Sequence, residues 1–160
     1  MSTLRCLTVK QPWALALIVP FNDKKNVENR SHGASGWRHR GLTVVHAGGG
    51  WSERGAADRR VIDLLGVTPV PDDPRFDFMA AIGVADLTDV HPAAQCCEPW
   101  GEQKYVQADG TVVHQVTHLV FEDAVMLAHP VSCKGRLGLW RPTRVVEATI
   151  EQQLWAARRR

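Results

Sequence analysis

The sequence predicts an α+β protein built on a small mixed β-barrel. Short β-rich runs at residues 4–9, 42–47, 78–90 and 112–127 recur without the regular strand–helix alternation of a parallel α/β sheet. The chain has 160 residues, 44% of them hydrophobic, which suffices for a single core, so residues 1–160 read as one domain. Helical patterns are confined to three stretches, at 12–20, 51–65 and 149–158.

Residues 4–9 form the first expected strand, after which Pro12 suits the first turn of a helix ending near Pro20. That helix, W-A-L-A-L-I-V, is apolar on every side. It should pack in the interior with only its N-terminal end exposed, where the free N–H groups beside Gln11 and Pro12 can receive an anion. Trp13 either stacks on a base or fills the core. Residues 21–23 turn into the stretch 25–30, and 31–41 form a loop carrying Trp37, Arg38, His39 and Arg40. Cations interleaved with an aromatic ring fit nucleic-acid contact, and the same composition fits a surface loop without a partner.

The strand at 42–47 ends in His46, and a lone histidine at a strand end is more often a structural hydrogen-bonder than a catalyst. The glycines at 48–50 lack the lysine and spacing of a phosphate-binding loop and read as a hinge. Residues 51–65 follow as one helix, with Ala57, Val61, Leu64 and Leu65 in register and Gly66 as its stop. An acidic, proline-rich connection at 69–74 leads to a long strand at 78–90 with a bulge at Gly83. Residues 91–105 are irregular, and 112–127 supply one or two strands around Asp123. From 133 to 140 the pattern alternates, with Leu137 and Leu139 facing the core and Lys134, Arg136, Gly138 and Trp140 on a basic face. A closing helix at 149–158 would use Thr149 and Gln152 as a capping box and bury Ile150, Leu154 and Ala157, with Arg158, Arg159 and Arg160 suiting its dipole.

The net charge is only +2, but residues 1–60 carry +6, residues 61–128 carry −9 and residues 129–160 carry +5. If the basic segments meet in the fold, the protein has a basic face and an acidic back, the footprint of a polyanion binder. The first ten residues are mixed and polar and no long apolar run occurs, so the chain is expected in the cytoplasm, away from membranes, with Cys6, Cys96, Cys97 and Cys133 reduced. His91, Cys96 and Cys97 lie close in sequence, yet the cysteines are adjacent and lack C-x-x-C spacing, so no metal or other cofactor is expected. Cys6 and Cys133 read as small core residues.

The functional information concentrates in 22–30, N-D-K-K-N-V-E-N-R, and in K-Q-P-W-A at 10–14. If 25–30 is extended with Val27 turned inward, Asn26, Glu28 and Arg30 share the opposite face. Arg offers a planar fork for a phosphate or base edge, Glu can accept from an exocyclic amine or hold that Arg, and Lys25 adds a mobile cation. A solvated edge strand bearing a surface ion pair fits the same spacing.

This pattern resembles the ASCH domain of the PUA-like superfamily, whose signature is G-x-K-x-x-E-x-R. Lys25, Glu28 and Arg30 fill three places of it, and Asp23 stands where the glycine belongs. Further family-like motifs follow in order: L-T-V-K-Q-P-W-A at 7–14, R-G-L-T-V-V-H-A at 40–47, A-A-I-G-V-A-D-L at 80–87 and P-V-S-C-K-G-R-L-G-L-W at 130–140. The resemblance implies a PUA-like β-barrel with flanking helices and a basic cleft. Lys25, Glu28 and Arg30 would line the cleft, with Lys10, Gln11 and Trp13 on one wall and Lys134 on the other. Apart from the resemblance, the composition of the 31–41 loop adds Trp37, Arg38 and Arg40 as candidate contacts.

Two functions then compete. One is binding of RNA, another single-stranded nucleic acid or a nucleotide-like small molecule. The other is an enzyme. Similar small bacterial proteins deacylate N4-acylcytidine with a threonine nucleophile, but Glu28 occupies the threonine's place, and a carboxylate cannot form and release the required ester. A metal-free ribonuclease, as described for some family members, would use Lys25 to stabilise the phosphorane and Glu28 or His46 to take a 2′-hydroxyl proton. Either function requires Lys25 and Arg30 to face the same side of the molecule.

Overall fold

The computed structural model describes residues 4–31, 33 and 36–160. His32, Ala34 and Ser35 of the expected 31–41 loop lie outside the described residues. A curled six-stranded sheet forms a half-barrel, bearing out the expected mixed α+β architecture. Its strands are β1 (Arg5–Gln11), β2 (Val27–Arg30), β3 (Gly41–Trp51), β4 (Ala80–Pro92), β7 (Thr117–Ser132) and β8 (Leu139–Trp140), in the spatial order β2-β7-β4-β3-β1-β8. Among the described residues of this sheet, only the β1–β3 pair is parallel. A small hairpin pairs β5 (Tyr105–Val106) with β6 (Val112–Val113). The helices are α1 (Trp13–Ile18), α2 (Glu53–Ala57), α3 (Arg59–Leu65) and α4 (Arg144–Arg158).

The sheet buries both faces. On one side α1 and α3 bring Leu15, Leu17, Ile18, Val61 and Leu65 against Leu7, Val45, Ile82, Leu87 and Leu119. On the other side α4 covers Cys6, Val44, Ala81 and Val84 with Val146 and Ile150. Each fully buried aliphatic side chain contributes about 1.5–3 kcal/mol by leaving water. Burial also pushes the Cys6 thiol up to about 12, with smaller contributions from Cys133 and Glu147, as suits a core thiol. Among the described residues no helix is long and apolar enough to cross a membrane.

Several elements differ from the sequence expectation for identifiable reasons. All of α1 is buried, including its start, and Gln11 Oε1 accepts from Leu15 N at 2.9 Å, so the expected open N-terminal end is closed by the protein's own side chain. The glycines at 48–50 are strand, not hinge: a Cβ at Gly48 would lie 2.9 Å from Thr8 Cγ2 on neighbouring β1. The single helix expected at 51–65 divides at Asp58, whose extended backbone ends α2 and whose carboxylate accepts from Arg60 N to start α3. Around β8, Leu137 is 99% exposed and Trp140 is buried, the reverse of the expected alternation. Trp140 is held there by donating from Nε1 to Thr8 Oγ1. Helix α4 begins a turn and a half before the expected Thr149, capped by Thr143, and Thr149 instead donates to Val145 O inside the helix. Leu154 is only half-buried and Ala157 is exposed, so the apolar stripe narrows to Val146 and Ile150.

The bulge expected in β4 is present, with Ile82 as the extra residue between the partners of Val45 and His46. A Cβ at Gly83 would lie 2.7 Å from Ile18 Cγ2 and 2.9 Å from Val125 O, so α1 crosses the sheet at a point that admits no side chain. Gly83→Ala should therefore lower stability by about 1–3 kcal/mol through overpacking. Urea denaturation checks this; an unchanged midpoint would mean that α1 does not sit this close to the sheet.

Candidate functional site

Lys25 follows the exit from α1 and is pinned by two neighbouring backbone bonds: its own N–H donates to Ala16 O at 2.9 Å, and Asn26 O accepts from Phe121 N at 2.8 Å. These bonds turn the Lys25 side chain under α1, where it is 2% exposed. The expected mobile cation is thus a buried one. Val27 points to the core as the sequence suggested, and Glu28 and Arg30 emerge together on the other face of β2.

Lys25 Nζ donates to Glu28 Oε1 at 3.0 Å and also to Val27 O. Glu28 Oε2 accepts from Arg30 Nη2 at 3.2 Å, and the same nitrogen donates to Thr8 O of β1 at 2.8 Å. Glu28 is itself buried, so one carboxylate is held between two cations with little water to screen them. Burial pushes the Lys25 ammonium below its ordinary range, and the facing carboxylate offsets this only in part. Burial pushes the Glu28 carboxyl up, but Lys25 and Arg30 more than offset it and hold it below the usual carboxylate range.

A second layer surrounds this triad. Lys25 Nζ lies 5.3 Å from the ring centroid of Trp13, and the guanidinium of Arg54 lies 5.0 Å from the same ring and 4.8 Å from that of Tyr105. Trp13 donates from Nε1 to Ser52 Oγ at 3.0 Å, which fixes the indole edge. Arg54 is held by both oxygens of Glu102, at 2.9 and 3.0 Å, and Arg60 joins at 2.6 Å. Asn29 locks this wall to β2: its amide donates to Trp100 O, and its carbonyl accepts from Glu102 N. Burial pushes the Tyr105 hydroxyl up, with the Glu28 charge adding to it.

The structure thus brings Lys25, Glu28, Arg30 and Trp13 together. Gln11 is close in sequence but fully buried, bound to Leu15 N and Asp77 O. Trp37 is 7% exposed, so neither expected tryptophan presents an open ring for stacking. Lys10 is exposed, with its stem lying over Gly50. Arg38 and Arg40 are exposed, and Arg40 donates to Trp37 O and His39 O. Lys134 is exposed beside Gly135, which packs against Thr8 and His46. These four cations stand outside the bonded triad.

His46 is fully buried. Its Nε2 donates to Cys133 O at 2.7 Å, and its Nδ1 accepts from Thr8 Oγ1 at 3.2 Å, the hydroxyl that in turn accepts from Trp140. Burial keeps the imidazole below its ordinary pKa, opposed by the Cys133 carbonyl, so it is a neutral structural link between β1, β3 and the segment before β8. Arg54, Glu102 and Tyr105 are additional members that local spacing does not point to. They arrive through α2 and the 93–106 segment, so the acidic middle of the chain supplies a carboxylate, Glu102, to the site itself.

No protein-family model matches the chain, and no curated protein matches it in sequence. Solved structures do. A crystal structure of a point mutant of ASCH from Zymomonas mobilis superposes with a TM-score of 0.53 at 12% identity, covering 94% of this chain and 98% of that one. The ASCH structure from the same organism without a substitution gives 0.48 at 14% identity, covering 96% and 94%. The chain has an ASCH-type fold, as its motifs implied.

Removing the Glu28 charge leaves Lys25 buried without its counter-ion, so Glu28→Gln should cost about 3–5 kcal/mol of stability at neutral pH. Because the folded pKa of Glu28 is depressed, its contribution is complete above the unfolded value of about 4.3 and disappears as pH falls through the lower folded value. Unfolding free energies of wild type and variant should therefore converge in acid. A constant difference between them would show that Glu28 is not ionised against Lys25.

Proposed function

We propose that the Lys25–Glu28–Arg30 cluster binds single-stranded RNA or a nucleotide-like ligand, and that it recognises without cleaving. The observation that carries this reading is the Arg30 guanidinium. Its Nη2 makes both bonds, to Glu28 and Thr8, while its buried Nε has no hydrogen-bond partner among the described residues. A buried donor left unsatisfied costs about 1–3 kcal/mol; the Arg30 side chain as a whole is 26% exposed, so a phosphate or base oxygen would meet the guanidinium from its open side and relieve Nε by a small turn of the group. Four cations, Lys25, Arg30, Arg54 and Arg60, meet three carboxylates, Glu28, Asp58 and Glu102, which leaves an excess positive charge for an anionic ligand. Lys10, Arg38, Arg40 and Lys134 would contribute longer-range attraction.

The geometry favours binding over the ribonuclease alternative. A general base works best with a pKa near the operating pH, whereas Glu28 is depressed and ion-paired through both oxygens. His46 is closed off by Thr8 and Cys133. With Trp13 and Trp37 buried, discrimination would come from hydrogen bonds at Arg30 and the half-buried Tyr105 rather than from stacking on an open indole.

Fluorescence anisotropy with a short single-stranded RNA and a duplex DNA, at several salt concentrations, tests the proposal. Single-stranded RNA should bind more tightly at matched salt, and Arg30→Ala should lower the slope of log K against log salt by about 0.7, the value for one lost phosphate contact on a single strand. Mass spectrometry of the RNA should show it intact. Equal or tighter duplex binding, or an unchanged slope in Arg30→Ala, would contradict the reading, and cleavage abolished by Glu28→Gln in protein that circular dichroism shows to be still folded would replace it with the enzyme.

A further inference from the structure

A second cluster lies beside this site. His91 of β4 and His118 of β7 are direct cross-strand partners, so their side chains stand on one face of the sheet with ring centroids 5.4 Å apart. The segment after β4 returns Cys96 and Cys97 to the same place. His91 Nε2 lies 3.4 Å from each sulfur, and His118 Nδ1 lies 3.7 Å from Cys96 Sγ. The ligand atoms of all four residues lie within 4.8 Å of one another.

We propose that His91, Cys96, Cys97 and His118 form a tetrahedral zinc site. Zinc–sulfur bonds of about 2.3 Å and zinc–nitrogen bonds of about 2.0–2.1 Å at tetrahedral angles place neighbouring N and S donors about 3.6 Å apart, which is the spacing found. Two thiolates with two imidazoles are a donor set that selects zinc over magnesium or calcium. The histidines are also held in the tautomers a metal needs. His91 Nδ1 faces Asp89 Oδ2 at 2.8 Å, and His118 Nε2 donates to Glu102 O at 2.8 Å, so the nitrogens facing the sulfurs carry free lone pairs.

Adjacent cysteines in an extended chain point to opposite sides, which is why the sequence argues against a metal here. The backbone removes that objection. Gln95 and Cys97 are left-handed, with φ of 54° and 65°, and the turn is closed by Gly101 N donating to Cys97 O at 2.6 Å. A Cβ at Gly101 would lie 2.7 Å from Cys97 Cβ. The fourth ligand, His118, comes from a strand that no local spacing connects to the cysteines. With four protein ligands the site is closed, so its role is structural: it fastens the segment that carries Trp100 and Glu102, the wall of the Lys25 cluster.

The test uses the full chain purified under reducing conditions, equilibrated with Zn2+ and separated from free metal. Elemental analysis should find one zinc per chain, and Co2+ in its place should give the visible absorption of a tetrahedral thiolate complex. Because His118 is buried, Cys96→Ser and Cys97→Ser carry the ligand test, with circular dichroism as the fold control; each should lose at least tenfold in zinc affinity. Asp89→Asn, on an exposed carboxylate outside the ligand set, should lose about 10–100-fold. Wild type retaining no more zinc than the Cys96→Ser, Cys97→Ser double variant, or a Co2+ spectrum of octahedral form, would overturn the site. Either result leaves the Arg30 reading standing or falling on its own anisotropy test.

Discussion

The buried ammonium of Lys25 is the constraint on which the candidate site depends. A cation placed almost wholly out of water is tolerated only if a counter-charge and hydrogen bonds meet it in fixed positions, and here they come from Glu28 and the backbone carbonyl of Val27. Glu28 in turn fixes Arg30, and Arg30 reaches across to Thr8 of β1. One chain of charge-assisted bonds therefore links the exit of α1, edge strand β2 and the parallel strand β1, which share no direct strand pairing with one another apart from this bridge. Such a triad adds little net stability compared with an apolar replacement, but breaking one member is costly, so it holds a single geometry.

The surrounding layer extends that rigidity outward. Glu102 gathers Arg54 and Arg60, and Arg54 lies between the rings of Trp13 and Tyr105. Arg60 is further tied to Asp58 and Pro99 O, its guanidinium resting 5.3 Å from the Trp100 ring. These bonds make the 93–106 segment part of the site's wall although it carries little regular structure. His118, which donates to Glu102 O, joins this wall to the His91–Cys96–Cys97 cluster. A metal held there would stiffen the backbone of the residue whose carboxylate positions Arg54, coupling the two clusters through Glu102.

The sequence was most readable where a local rule acts alone. Val27 as the only apolar residue between Lys25 and Arg30 set the facing of β2, and Gly83 in an apolar run marked the bulge against α1. It was least readable where a distant partner decides. The glycines at 48–50 look like a hinge until Thr8 is seen packed against Gly48, and Trp140 turns inward because Thr8 accepts its indole N–H. The burial of Lys25 follows from backbone bonds to Ala16 and, through Asn26, to Phe121, neither of which leaves a spacing signal. Arg54, Glu102, Tyr105 and His118 were hidden for the same reason: each enters its cluster from another element, through contacts that only the folded sheet creates.

The central claim is that Arg30, oriented by Glu28 and Thr8, presents its remaining guanidinium edge to an oxygen of a single-stranded nucleic acid. The most direct measurement is the NMR signal of the Arg30 Nε–H during titration with a short single-stranded RNA. On this account the signal, which comes from a donor without a partner among the described residues, shifts downfield in step with saturation. An Arg30 signal that stays unchanged while backbone amides elsewhere report binding would place the interface on another surface and contradict the account.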